Sequence, residues 1–237
     1  MVGGRFMHVP LVAAVLMIGG CDSTIRPINV GPGCPSKPLR DPEQWSFEPS
    51  TQLIDDFETG DLLVARAEGR DGAWYLSKDG TGAVSSAGIS SRCVGSGEAS
   101  GHLVTSASSE WGAMWTGAFR AVVAGVAQPY DGSKYGGISF WAGFDSANGP
   151  AFPIRVGVVT IDTAWNGGVC TNFCMDFHGI EVTPGLQWQR FSIRFSDLRQ
   201  QGWGNIQEPL RLDQLVGFVV WPNRRADFWI DDLRFEP

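Results

Sequence analysis

Short runs in which apolar and polar residues alternate recur from residue 52 to residue 235, each closed by Gly, Asp, Asn or Pro. This repetition constrains the fold more than any other feature of the chain. The runs cover residues 52–58, 73–77, 102–106, 111–119, 137–142, 152–162, 179–183, 187–195, 214–221 and 227–235. Alternation with period two gives a strand one face for a core and one for water. Such runs, with barely one short helix around residues 196–201, predict a single all-β domain, an antiparallel β-sandwich. The stretch from Trp188 to Phe195 shows the pattern: Phe191, Ile193 and Phe195 share the core face, while Trp188, Arg190, Ser192 and Arg194 share the other. Trp188 is therefore expected half exposed on a sheet surface. Composition agrees, with 31 Gly, 11% aromatic residues and only 18% charged ones, a balance that suits glycine-turned strands better than Glu/Lys-rich helix.

Residues 1–20 hold Arg5 and then an apolar stretch from Val9 to Ile18. That stretch is too short to cross a bilayer as a helix and has the build of an export signal. It ends Ile18-Gly19-Gly20-Cys21, which resembles the bacterial lipobox, so Cys21 is the expected lipidation site. Acyl chains on Cys21 would anchor the protein through buried CH₂ groups at a bacterial cell envelope, on the periplasmic side or the cell surface. Residues 21–50 carry six prolines, Pro27, Pro32, Pro35, Pro38, Pro42 and Pro49. Such density prevents helix and favours an extended linker, leaving residues 51–237 as the sandwich domain.

The net charge is −7 and the basic residues form no run, so the electrostatic footprint of a nucleic-acid binder is missing. Enzyme signatures are thin as well. The sequence holds no G-x-S-x-G elbow, no G-x-x-x-x-G-K-[ST] loop and no H-E-x-x-H helix. With Cys21 given to lipid, Cys34, Cys93, Cys170 and Cys174 remain. In an exported chain an even remainder reads as two disulfides; a local Cys170–Cys174 bridge would leave Cys34–Cys93 as the second. The alternative use of the same residues is a zinc site from Cys170, Cys174 and His178, with Asp176 nearby.

Two further constellations carry chemistry. Asp56 and Glu58 near the start of the domain, with Asp231 and Asp232 near its end, could hold a structural calcium ion if the first and last strands are neighbours, since calcium takes six to eight oxygen ligands. The ten tryptophans are more than a core of this size needs. A flat indole covers the apolar C–H face of a sugar ring, while charged and amide side chains bond its hydroxyl rim. Trp165 and Trp188, with Arg155, Arg190, Asp176 and His178, are the expected saccharide platform.

The residues also resemble a known family. Ile54-Asp55-Asp56-Phe57-Glu58-Thr59-Gly60 looks like the opening of family 11 carbohydrate-binding modules. Residues Tyr135 to Ala142, Trp188 to Leu198 and Phe228 to Phe235 fit the same pattern in the same order. Complex-I intermediate-associated proteins share this galactose-binding-like jelly roll. The resemblance implies eight to ten strands, a concave sheet able to hold a glucan chain, and a calcium ion between the terminal strands on Asp56, Glu58 and the Asp231–Asp232 pair. Together these readings predict a lipid-anchored, non-catalytic carbohydrate-binding protein. The other expectations are an envelope scaffold holding a protein partner on the same sandwich and, ranked below it, a glycoside-active enzyme.

Overall fold

The computed structural model describes residues 51–81, 85–91, 97–106, 110–144 and 152–237. The expected export signal, Cys21, the linker, and a Cys34–Cys93 bridge fall outside the described residues. The described residues form eleven strands: β1 (Leu53–Asp55), β2 (Trp74–Lys78), β3 (Ser85–Ser90), β4 (Ser100–Thr105), β5 (Ala113–Ala118), β6 (Gly137–Phe144), β7 (Ile154–Thr160), β8 (His178–Val182), β9 (Gln189–Arg194), β10 (Leu215–Trp221) and β11 (Ala226–Glu236). They form two antiparallel sheets, one in the order β3-β4-β11-β6-β9 with β1 added beside β11, the other β2-β5-β10-β7-β8. The all-β sandwich expected from the alternation is what the chain builds.

Ten of the strands lie on the ten expected runs. The additional one, β3, has the sequence Ser-Ser-Ala-Gly-Ile-Ser and no apolar alternation to announce it. It occupies a sheet edge, where only one flank is hydrogen-bonded and little side-chain burial is required. The helix expected at residues 196–201 is a single 3-10 turn, Phe195–Asp197, ended as the backbone returns to an extended conformation at Leu198.

Between the sheets the inward faces bring Ile138, Phe140, Phe228 and Ile230 of one sheet against Trp115, Val156, Phe218 and Val220 of the other. Phe191 and Ile193 join this core as the period-two reading requires. Trp74 and Trp115 meet at 4.5 Å between ring centroids, with Phe57 at 5.4 Å from Trp74. Gly101 stands against these rings: a Cβ there would lie 2.7 Å from both Phe57 and Trp115, so any side chain would displace them. At the other end Tyr135 stacks on Phe235 at 4.4 Å. There the buried Arg70 donates to Tyr130 Oη and to the carbonyls of Thr51 and Leu53, tying the start of the domain to its core.

A second, smaller apolar cluster lies on the outward face of the five-stranded sheet. Met114, Val159, Val216 and Val219 project from the strands there, and Ala127, Ala164 and Phe177 pack over them. The segment that follows β7 thus folds back across its own sheet. Its far end, with Trp111, Met175 and Trp221 only partly buried, opens into the site described next.

Candidate functional site

Beside that cluster the outward face carries a cleft of about 670 Å³, lined by Ser77, Lys78, Trp111, Met114, Trp165, Cys174, Met175, Trp203 and Trp221. The floor follows from the strand register. Ser77 pairs with Met114 across β2 and β5, and β10, the next strand, places Trp221 at its end. Residues paired directly across antiparallel strands share a face, so Ser77 and Met114 point outward together. The walls are loops, and each indole in them has an identifiable support.

Trp221 meets Phe177 edge to face at 6.3 Å and donates its Nε1–H to the carbonyl of Trp111 at 2.7 Å. Trp111 is set by the turn at Gly112, whose N–H donates to Asp79 and whose carbonyl accepts the Asp79 N–H at 2.9 Å. Gly112 has φ +79°, a conformation that favours glycine. Trp165 rides on a turn leaving β7, in which the Ala164 N–H donates to Thr160 O at 2.8 Å and the Thr160 N–H to Thr163 Oγ1 at 3.1 Å. Trp203 sits in a loop held by one carboxylate. The N–H groups of Gln201, Gly202 and Gly204 donate to Asp176 at 2.8, 2.8 and 3.0 Å, and Trp203 Nε1–H donates to Gln201 Oε1 at 3.0 Å. Cys174 and Met175 complete that wall. The Cys170–Cys174 disulfide closes a four-residue separation, as expected, and the Met175 N–H donates to Thr163 O at 2.7 Å. With both sulfurs in the disulfide, neither thiolate is available to the zinc alternative.

The nine tryptophans among the described residues therefore divide cleanly. Trp74, Trp115, Trp141, Trp188 and Trp229 are buried. The other four, Trp111, Trp165, Trp203 and Trp221, all line this one cleft. Trp165 and Trp203 are 61% and 44% exposed, so ring faces are open to a ligand.

Of the six residues expected to form a saccharide platform, only Trp165 lines the cleft. Trp188 is 2% exposed; it directly precedes β9 and is buried, which corrects its expected half exposure. Arg190, on β9 of the other sheet, bonds Ser139 Oγ and Glu236. Arg155 has Trp221 as its register partner, yet its guanidinium turns to the carbonyls of Phe177 and Arg199 and lies 5.2 Å over the Phe177 ring. His178 pairs with the core residue Val158, is 1% exposed and faces Glu208 at 3.8 Å; burial pushes its pKa down. Asp176 is 2% exposed and spends its oxygens on the Trp203 loop. Asp176 thus holds the wall that carries Trp203, and Arg155 lies against Phe177, the ring that meets Trp221.

The terminal strands are neighbours, with Leu53 opposite Arg234 and Asp55 opposite Leu233. The four expected calcium ligands are nevertheless each engaged elsewhere. Asp56 accepts the Glu58 N–H, and Glu58 accepts the N–H groups of Glu98 and Ala99. Asp231 accepts the Asp232 N–H, and Asp232 is ion-paired with Arg234 at 2.6 Å. Asp56 and Glu58 line a second hollow of about 520 Å³ with Asp55 and Asp61, without the Asp231–Asp232 pair. Among the described residues no group of three His, Cys, Asp or Glu side chains is placed to hold a metal ion, so these four carboxylates do not fit one calcium site as arranged.

No family model matches the chain, and no curated protein matches it. Its fold is similar to solved carbohydrate-binding modules. The family 11 module from Clostridium thermocellum, solved in complex with a β-1,3-1,4-mixed-linked tetrasaccharide, is 19% identical with a TM-score of 0.51, over 78% of this chain and 94% of that one. The family 11 module of the cellulosomal cellulase Lic26A-Cel5E of Clostridium thermocellum is 20% identical with a TM-score of 0.50, over 78% and 93%. The solution structure of CtCBM11 gives 20% identity and a TM-score of 0.51, over 78% and 94%. At these identities the likeness establishes the jelly-roll fold.

Proposed function

We propose that this protein binds carbohydrate non-covalently in the four-indole cleft and performs no chemistry of its own. One observation carries the reading: every described tryptophan that is not buried lines the same cleft. Exposed indoles are costly in a soluble domain, and gathering them on one face is the signature of a binding surface. Pyranose rings present the flat C–H faces that indoles cover, and walls already fixed by Asp79, Asp176 and the Thr160–Thr163 turn lower the ordering cost of binding. The likeness to a module solved in complex with a tetrasaccharide supports the same reading. Lipidation at Cys21, with the linker as spacer, would hold the site at the bacterial cell envelope.

The test is a glycan array followed by titration calorimetry on Trp165→Ala, Trp203→Ala and Trp188→Ala. The first two should lose binding about tenfold or more with little change in stability, because their rings are half exposed. Trp188→Ala should instead cost about 3–5 kcal/mol of stability. Full saccharide affinity in both cleft variants, or no saccharide bound by the intact protein at millimolar concentration, would refute the proposal.

A further inference from the structure

The polar chemistry of the cleft is narrow. Besides four indoles, its lining comprises the thioethers of Met114 and Met175, one sulfur of the disulfide, Ser77 and Lys78. The N–H groups of Trp203 and Trp221 are already spent on Gln201 and Trp111. Among the described residues no Asp, Glu, Asn, Gln or Arg side chain lines it. A neutral sugar with a full set of hydroxyls needs donors and acceptors around its rim, since each hydroxyl both gives and takes a hydrogen bond. A carboxylate on the ligand needs donors only, and a cation above all.

Lys78 supplies that cation. The chain has three lysines; Lys37 lies outside the described residues, and Lys134 is paired with Glu68. Lys78, exposed on β2, is in no ion pair among the described residues. The acidic residue next to it in sequence, Asp79, is occupied by the N–H groups of Gly112 and Thr81 and by the Thr81 hydroxyl, and Glu110 is exposed beside Trp111. In a protein of net charge −7, a lysine with no ion pair among the described residues thus stands at the edge of a cleft whose described lining is apolar and holds no acid. We infer that the cleft selects an anionic saccharide, its ring faces on the indoles and its acidic group against the Lys78 ammonium. This rests on the carbohydrate reading above and adds the charge of the ligand to it.

The test compares three oligosaccharide probes of equal length by calorimetry: a neutral oligoglucose, an oligouronate and a sulfated oligosaccharide. The intact protein should bind an acidic probe about tenfold more tightly than the neutral one, a ratio that falls as salt rises. Lys78→Gln should close that gap, and Lys78→Arg should keep it. The tighter of the two acidic probes identifies the anion as carboxylate or sulfate ester. Equal or tighter binding of the neutral probe, or a gap untouched by Lys78→Gln, would overturn the inference while leaving carbohydrate binding intact. Failure of all three probes, with no other saccharide bound, would take both readings down together.

Discussion

Asp176 is the residue whose replacement best tests how the cleft is built. Its two oxygens accept three backbone N–H groups, Gln201 on Oδ1 and both Gly202 and Gly204 on Oδ2. Asparagine keeps the shape but has one acceptor oxygen. With its carbonyl left facing Gly202 and Gly204, its amide nitrogen meets the Gln201 N–H donor to donor. One charge-assisted hydrogen bond, worth about 1.5–3 kcal/mol, is lost, and the other two lose their charge assistance. The freed Gln201 amide belongs to a largely exposed loop, where water replaces the carboxylate, so the damage stays local. The melting temperature should fall by only a few degrees, since about 1 kcal/mol moves a domain of this size by roughly 2–4 °C. Binding should suffer more. A ligand stacking on Trp203 must now re-order the loop, and a cost of about 1.4–2 kcal/mol weakens the affinity roughly 10- to 30-fold. The decisive assay is a double-mutant cycle by calorimetry, with a saccharide that the intact protein binds. If Asp176 acts by placing Trp203, then Asp176→Asn should cost nothing further once Trp203→Ala is present. An undiminished loss in that background would mean that Asp176 touches the ligand itself, and the positioning argument would be wrong.

Two further outcomes follow from the carboxylates near the start of the domain. Burial raises the Asp55 pKa from 3.8 to about 7, outweighing the lowering effect of the Phe57 N–H and Trp74 Nε1–H donors. The folded state thus holds this proton more tightly than the unfolded chain, and the stability it contributes is present below about pH 4 and lost as pH rises towards 7. Urea midpoints should therefore fall more steeply between pH 5 and 8 in the intact protein than in Asp55→Asn; identical slopes would refute the assignment. For calcium, the protein contacts of Asp56, Glu58, Asp231 and Asp232 predict that EDTA leaves the melting temperature unchanged. An ion present at 100 times its dissociation constant would contribute about 2.7 kcal/mol, so a drop of several degrees would return calcium to the terminal strands.

Strands are local objects with a local signature, and so the runs from residue 52 to residue 235 disclose ten of them. What fails is instructive: β3 is missed because a Ser-rich edge strand buries little and needs no apolar face. The cleft is a different kind of object. Its floor and walls come from residues as distant along the chain as Ser77 and Trp221, joined only because β5 and β10 lie side by side. No period in the sequence reports that adjacency. A weaker signal was nevertheless present. Trp111 and Trp203 each stand directly beside glycine, in Trp111-Gly112 and Gly202-Trp203-Gly204, whereas none of the five buried tryptophans does. A bulky ring next to glycine has no strand neighbours to share a core with, and that is a local reason for it to sit on a loop. Trp188 misleads by the opposite route. By period two it shares the outward face of Arg190, Ser192 and Arg194, yet unlike them it is buried.

The polar residues near Trp165 carry the same lesson one step further. Arg155 and Asp176 are expected among the groups that bond a saccharide, and both lie close to the cleft. They are nevertheless buried, because a wall made of loops leaves backbone groups that must be satisfied before any ligand arrives. Asp176 takes amides from residues 201–204, while Arg155 gives to the carbonyls of Phe177 and Arg199. A carboxylate collects N–H donors and a guanidinium collects C=O acceptors, so each residue type is placed where the loop ends expose the complementary group. Since these charged side chains are used up in holding the walls, the described lining of the cleft is left to indoles, sulfur, one serine and a single ammonium. The apolar character of the cleft and the rigidity of its loops thus have one cause.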